Sequence, residues 1–182
     1  MILKRLVLAW LLFIPAVSIS SDALVVTHVY DGDTIQLQNG RQVRLIGINA
    51  PEIAHPNRYG QPTQTEPFGN AAKVYLSRLV QKQTVSWETD REVTDHYGRF
   101  LAYIFLADGS FVNAKMIARG LAYCLPKPPN TRYEKKLLQA QRHAMEIQKG
   151  IWKRYATLST RVIGNRRSKR FHHPNCSFGQ SI

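Results

Sequence analysis

The sequence predicts an α+β domain in which a small closed β-barrel carries packed helices. Three observations support this. Alternating apolar segments flank an Asn39-Gly40 step, which is a strong hairpin signal. Further valine-rich and aromatic runs lie between turn residues, and stretches with helical spacing are interspersed among them. Five strands and three helices within about 130 residues fit such a barrel, although periodicity alone does not choose it over other α+β folds. Of the 182 residues, 44% are apolar and 20% charged, which excludes general disorder, a collagen-like repeat and a coiled coil.

Leu24–Tyr30 reads as the first strand. Thr34–Gln38 follows the turn Asp31-Gly32-Asp33, and Gln42–Ile48 follows Asn39-Gly40. Pro51–Pro67 is polar and proline-containing, as expected of an exposed loop. Ala71, Val74, Tyr75 and Val80 lie near helical spacing and predict a helix over Asn70–Gln81. Thr84–Glu88 and Phe100–Ala107 are two further strands, the second closed by Asp108-Gly109. Asn113–Arg119 is a short helix stopped by Gly120. Thr131 and Glu134 have capping-box spacing and open a helix expected to run to Lys149 and stop at Gly150.

The ends differ from this middle. Lys4 and Arg5 precede an apolar run from Leu6 to Val17 and then Ser18, Ser20 and Ser21, the pattern of a secretory signal peptide spanning 1–20. A membrane anchor needs about 20 apolar residues, more than this run supplies. The mature chain is expected to be periplasmic or secreted, with no stable membrane association, and monomeric. The whole chain carries 25 basic against 12 acidic residues, formally +13, which favours polyanionic partners. Beyond Glu146 there is no acidic residue, so 153–182 reads as a basic tail. Export permits disulfides, and Cys124 and Cys176 either pair or stand as separate thiols.

Four motifs stand in order: Asp31-Gly32-Asp33-Thr34, Arg44-Leu45-Ile46-Gly47-Ile48-Asn49-Ala50-Pro51-Glu52, His55-Pro56, and Asp95-His96-Tyr97-Gly98-Arg99. Read as chemistry, they hold what phosphodiester hydrolysis needs. Asp33 supplies a carboxylate at a strand–turn junction, Asn49 an amide oxygen and Ala50 a backbone carbonyl, all oxygen ligands that suit calcium. Arg44 and Arg99 offer planar donor forks for a phosphate. Glu52 is the candidate base or water-orienting group. Each residue also has a plainer reading: Asp31 and Asp33 as turn caps, Arg44 as a surface strand residue, Arg99 as a solvated charge after the Tyr-Gly turn, Glu52 as a loop carboxylate.

In combination, the motifs resemble the staphylococcal (thermonuclease-type) nuclease family, from about Leu24 through Asn113 and Gly120-Leu121-Ala122-Tyr123 to Gly150-Ile151-Trp152. The resemblance implies a five-stranded oligonucleotide-binding barrel with three helices over 24–152. It also implies a calcium-dependent endonuclease acting on DNA and RNA with little sequence preference, leaving 3′-phosphate ends. In that family, residues at the positions of Asp33, Arg44, Asn49, Glu52 and Arg99 form the site. Asn49 is a departure, since the family usually has a second carboxylate there, so weaker calcium binding is expected. Tyr97 and Tyr123 match positions near the nucleotide pocket and serve either base stacking or barrel packing. Arg58 either meets phosphates or solvates its loop. The tail stretch Gly164–Cys176 resembles a truncated Ada-type metal-binding element, with His172, His173 and Cys176 at ligand-like spacing; the other reading is a mobile basic arm. The rival to catalysis is a noncatalytic nucleic-acid-binding barrel, which predicts a broken Arg44, Glu52, Arg99 set.

Overall fold

The computed structural model describes residues 23–56, 60, 63–156, 163–165 and 170–172, with the backbone alone for 154–156 and the last two segments. The expected signal peptide, Arg58, His173 and Cys176 lie outside the described residues. In chain order the strands are β1 (Leu24–Val29), β2 (Thr34–Leu37), β3 (Gln42–Leu45), β4 (Ile48–Asn49), β5 (Thr84–Glu88), β6 (Phe100–Leu106), β7 (Tyr123–Cys124), β8 (Ile163–Asn165) and β9 (Arg170–His172). The helices are α1 (Gly69–Val80), α2 (Val112–Ala118), α3 (Glu134–Glu146) and α4 (Ile151–Ala156).

The predicted barrel is present. Its strands close in the order β1-β2-β3-β6-β5, antiparallel except for the β3–β6 pair. Inward positions alternate along each strand and fill the interior with Val26, Ile35, Val43, Leu45, Val85, Ala102 and Ile104, each at most 2% exposed. The hairpin predicted at Asn39-Gly40 forms with Gly40 at φ 80°, the left-handed conformation such a turn requires. A register irregularity between Val26 and His28 bends β1, which pairs with both β2 and β5 and so closes the barrel.

The helices follow the sequence less closely. Helix α1 buries Ala72, Leu76 and Val80, a stripe at i, i+4 and i+8. Val74, one of the apolar residues whose spacing predicts the helix, is 48% exposed, because the helix is apolar on more than one side and its contacts with β1 and α2 choose the side. No capping box opens α3. The residue before it is Tyr133, no side chain caps it, and the Glu134 N–H instead donates to the Thr131 carbonyl at 3.0 Å. The helix also stops at Glu146 rather than Lys149, with Gln148 (φ 50°) and Gly150 (φ 56°) turning the chain. Gly150 then packs on Gly120, and Ile151 donates to the Gly120 carbonyl at 2.8 Å, which starts the unexpected α4. The expected domain boundary at Trp152 therefore falls inside a helix. Part of the tail pairs with itself, as β8 lies antiparallel to β9.

One buried polar side chain ties barrel to helices. Asn113, fully buried on α2, accepts from the Ile104 N–H (3.0 Å) and donates to the Ile46 carbonyl (2.8 Å). This fixes α2 to β6 and to the β3–β4 turn that leads to Asn49. Asn113→Ala strands one buried donor and one buried acceptor, and should lower unfolding free energy by about 2–4 kcal/mol in urea denaturation.

Candidate active site at the β2–β3–β4 junction

The turn before β2 is held by its own carboxylate: Asp31 accepts the Asp33 N–H at 2.9 Å. Between them Gly32 packs so closely on Ala50 and Ala72 that any Cβ would collide with both. Glycine thus lets β4 and α1 close over the turn and bury Asp33 to 4% exposure.

Every oxygen of Asp33 is addressed. Oδ2 accepts the Ala50 N–H (2.7 Å) and pairs with Arg44 Nη1 (2.9 Å), while Oδ1 accepts from Thr34 Oγ1 (3.1 Å). Arg44 spends the rest of its fork nearby. Nη1 donates to the Leu45 and Ile48 carbonyls (3.2 and 3.1 Å), and Nη2 to Asn49 Oδ1 (3.1 Å). One guanidinium therefore gathers a carboxylate from the start of β2 and an amide oxygen from β4. Burial pushes the Asp33 carboxyl up to about 7, with Asp31 adding to the rise against the opposing pull of Arg44 and the Ala50 N–H. A single arginine does not fully compensate this buried carboxylate, so a further positive charge beside it is electrostatically welcome. The donors (Asp33 carboxylate, Asn49 amide oxygen and Ala50 carbonyl) are all hard oxygens and fit a calcium ion. Among the described residues no group of three or more His, Cys, Asp and Glu comes together, so any such ion relies on neutral oxygens as well.

Glu52 lies two residues beyond Ala50, exposed, with its carboxylate accepting no hydrogen bond from a described residue. Its backbone is held firmly. The Glu52 N–H donates to Glu66 Oε2 (3.1 Å), and the Glu66 N–H returns a bond to the Glu52 carbonyl (2.9 Å). Thr65 and Thr63 continue the staple, their hydroxyls accepting the Ala54 and His55 N–H groups at 2.9 Å each. A Cβ on Gly69 would meet the Glu52 carbonyl, so glycine opens α1 there for close approach.

Arg99 occupies a separate loop. Asp95 accepts the N–H groups of Tyr97 (2.9 Å) and Arg99 (3.0 Å) and pairs with the Arg99 side chain through Nε and Nη2, both at 2.8 Å. Among the described residues, no hydrogen bond joins this loop to the Asp33–Arg44 cluster. The β3–β6 register, with Arg44 opposite Leu101, sets the loop beside β3. Tyr97 is 72% exposed, its ring near His96 (3.7 Å) and under the Arg99 guanidinium (5.3 Å). Tyr123 is half-buried on β7 opposite Asn49, with its ring edge against Trp152. Cys124 follows it, half-buried, its thiol pushed up to about 11 by burial and by Glu134.

Three contributors escaped the sequence. In the sequence Asp31 reads only as a turn residue, and Asp95 only as part of a motif. Glu66 left no local signal, because its contact with Glu52 crosses a loop.

A family model described as "Staphylococcal nuclease homologue" matches residues 42–154, from β3 to α4. The chain belongs to the staphylococcal nuclease family. It is 40% identical over 139 residues to a thermonuclease of Staphylococcus intermedius, covering 75% of this chain and 79% of that protein. With a thermonuclease of Staphylococcus hyicus it shares 38% over 130 residues (70% and 73% of the two chains). With endonuclease YncB of Bacillus subtilis (strain 168) it shares 30% over 136 residues (72% and 62%). The family match contains Arg44, Asn49, Ala50, Glu52, Tyr97, Arg99 and Tyr123.

The Arg99 loop yields a pH test. Partial burial pushes the Asp95 carboxyl up, but the Arg99 side chain, its N–H and its charge outweigh this and hold it below the usual carboxylate range. A carboxylate lowered on folding adds stability above its unfolded value near 3.9, which is lost as pH falls through the folded value. Between pH 5 and pH 3, Asp95→Asn should therefore lose less stability than wild type in urea titrations.

Proposed function

We propose that this chain is an exported, calcium-dependent endonuclease hydrolysing DNA and RNA with little sequence preference and leaving 3′-phosphate ends. The observation that carries the reading is the convergence of Asp33 and Asn49 on the two ends of the Arg44 guanidinium. Relatives named thermonuclease and endonuclease support it. Residues 1–20 are taken as a signal peptide, 24–152 as the nuclease domain and 153–182 as a basic tail. Among the described residues no helix is long and apolar enough to cross a membrane. The active unit is taken as a monomer.

In hydrolysis the oxygen of water bonds to phosphorus and the bond from phosphorus to the 5′ oxygen breaks. Glu52, exposed and held by its backbone, orients that water and takes one of its protons. The departing 5′ oxygen takes a proton from solvent. Arg44 and Arg99 donate to the phosphate oxygens as charge builds on them. For this each must trade part of its present pairing, Arg44 with Asp33 and Arg99 with Asp95, for the phosphate. Asp33, Asn49 and the Ala50 carbonyl would hold calcium, which when bound offsets the negative charge of carboxylate and phosphate together. Tyr97 offers a base a largely exposed ring, Tyr123 an edge beside Asn49, and Arg58 a further cation for the phosphates. The tail, whether basic arm or Ada-like metal-binding element, adds cations that act on affinity.

The test is incubation of purified protein with plasmid DNA in calcium and then in chelator, with analysis of the new ends. Calcium-dependent fragments bearing 3′-phosphate support the proposal. DNA bound but uncut with every divalent metal would favour the noncatalytic barrel. Arg44→Ala and Arg99→Ala should each reduce turnover by about 10²-fold or more, since one lost donor to a developing oxyanion costs roughly that much. A circular dichroism melt of each variant separates this loss from unfolding. Asn49→Asp should shift the calcium midpoint of cleavage to lower concentration, because affinity at oxygen sites rises with ligand charge. An unchanged midpoint in that titration would place Asn49 away from the metal.

A further inference from the structure

We infer that Arg41, seated on the rings of Phe100 and Trp87, is a second contact for a single-stranded nucleic acid, gripping a backbone phosphate a few nucleotides from the one being cut. The inference rests on the nuclease reading above and extends its binding surface beyond the residues of the family motifs.

Phe100 and Trp87 come from β6 and β5 and lie nearly parallel, their centroids 5.8 Å apart and their planes at 16°. Both rings are half-buried and packed on the barrel core, so they form a fixed base. The exposed Arg41, at the end of the β2–β3 turn, lays its guanidinium over them, 4.4 Å from the Phe100 centroid and 5.7 Å from Trp87. A cation–π contact of this kind uses the face of the guanidinium and leaves the N–H donors around its edge.

No hydrogen bond from a described residue uses those donors. Arg44, Arg99 and Arg132 each pair with a carboxylate, whereas Arg41 has no carboxylate partner among the described residues. Its side chain is already ordered by the rings, so a phosphate arriving there does not meet the full entropic cost of fixing a mobile arginine. Simple covering of apolar rings by a long side chain accounts for the stacking. It does not account for the position. Arg41, in the turn just before β3, stands three residues ahead of Arg44, at most ~10 Å along the hairpin and toward its other face, and Phe100 follows Arg99 directly. A strand with its scissile phosphate at Arg44 and Arg99 that follows the β2–β3 hairpin toward its turn reaches the Arg41 fork within a few nucleotides. Complementary charge favours that occupant, since the chain is formally +13.

The test measures binding of a fluorescein-labelled twelve-nucleotide thymidine strand by anisotropy in chelator, across a range of salt concentrations, with wild type, Arg41→Ala and Arg41→Lys. Loss of one phosphate contact should lower the slope of log affinity against log salt by about 0.7 and weaken binding about fivefold at 0.1 M salt. Arg41→Lys should keep the slope but regain only part of the affinity, because it lacks the planar fork. Saturating strand should also quench part of the tryptophan emission, and that part should vanish in Trp87→Phe. An Arg41→Ala protein with unaltered slope and affinity, or a Trp87→Phe protein whose strand-induced quench equals that of wild type, overturns the inference. If Arg41→Ala does not fold, the lysine variant and the quench decide alone. Plasmid cleavage by wild type in calcium stands apart: its absence defeats the nuclease reading, whereas the salt slopes decide Arg41.

Discussion

The candidate site depends on one buried ion pair. Asp33, just ahead of β2, and Arg44 on β3 face each other across one end of the β2–β3 hairpin, in a setting where each charge alone would be costly. The pair persists because its remaining lone pairs and donors are satisfied by Thr34, Ala50, Leu45, Ile48 and Asn49. These bonds couple the turn before β2 to β4 and set where Asn49 and Ala50 present their oxygens. Gly32 makes the enclosure possible, since a side chain there would hold α1 and Ala50 away. Removing one partner of such a pair leaves a buried charge uncompensated and typically costs about 3–5 kcal/mol. The same geometry that builds the site is therefore part of the stability of the hairpin.

The other candidate groups are attached less tightly, and in different ways. Arg99 is oriented by Asp95 in an exposed loop, so its guanidinium can exchange partners at lower cost than Arg44 can. Glu52 is positioned through its backbone, by the reciprocal bonds with Glu66, which leaves its carboxylate free of protein donors among the described residues. The water-orienting role proposed for Glu52 needs a fixed main chain and an uncommitted side chain, and the loop supplies both. Asn49 brings a neutral amide oxygen beside Asp33 and Arg44 rather than a second carboxylate. Asp31 places another acidic group beside Asp33, although its oxygen already serves the turn.

Much of this was legible in the sequence, and what escaped it shares a physical cause. The barrel strands were readable because alternation and the Asn39-Gly40 turn are local signals. Asp33, Arg44, Asn49 and Ala50 were readable as a set because short motifs hold them, and the structure brings those four together. The buried side of α1 was not, because a helix with several apolar sides is oriented by its tertiary contacts. The end of α3 and the start of α4 hinge on the meeting of Gly120 and Gly150, residues thirty apart in sequence. Glu66 and the Arg41 stack were invisible for the same reason: each joins segments whose proximity only the closed barrel and its loops create.

The central claim is that the Asp33–Arg44 junction is a calcium site shaped for a phosphate. A crystal structure of the protein grown in saturating calcium tests it most directly. The account predicts one calcium ion with oxygens of Asp33 and of Asn49 or Ala50 at about 2.3–2.6 Å. Calcium bound only elsewhere, with the Asp33–Arg44 enclosure unchanged and empty of metal, would contradict it.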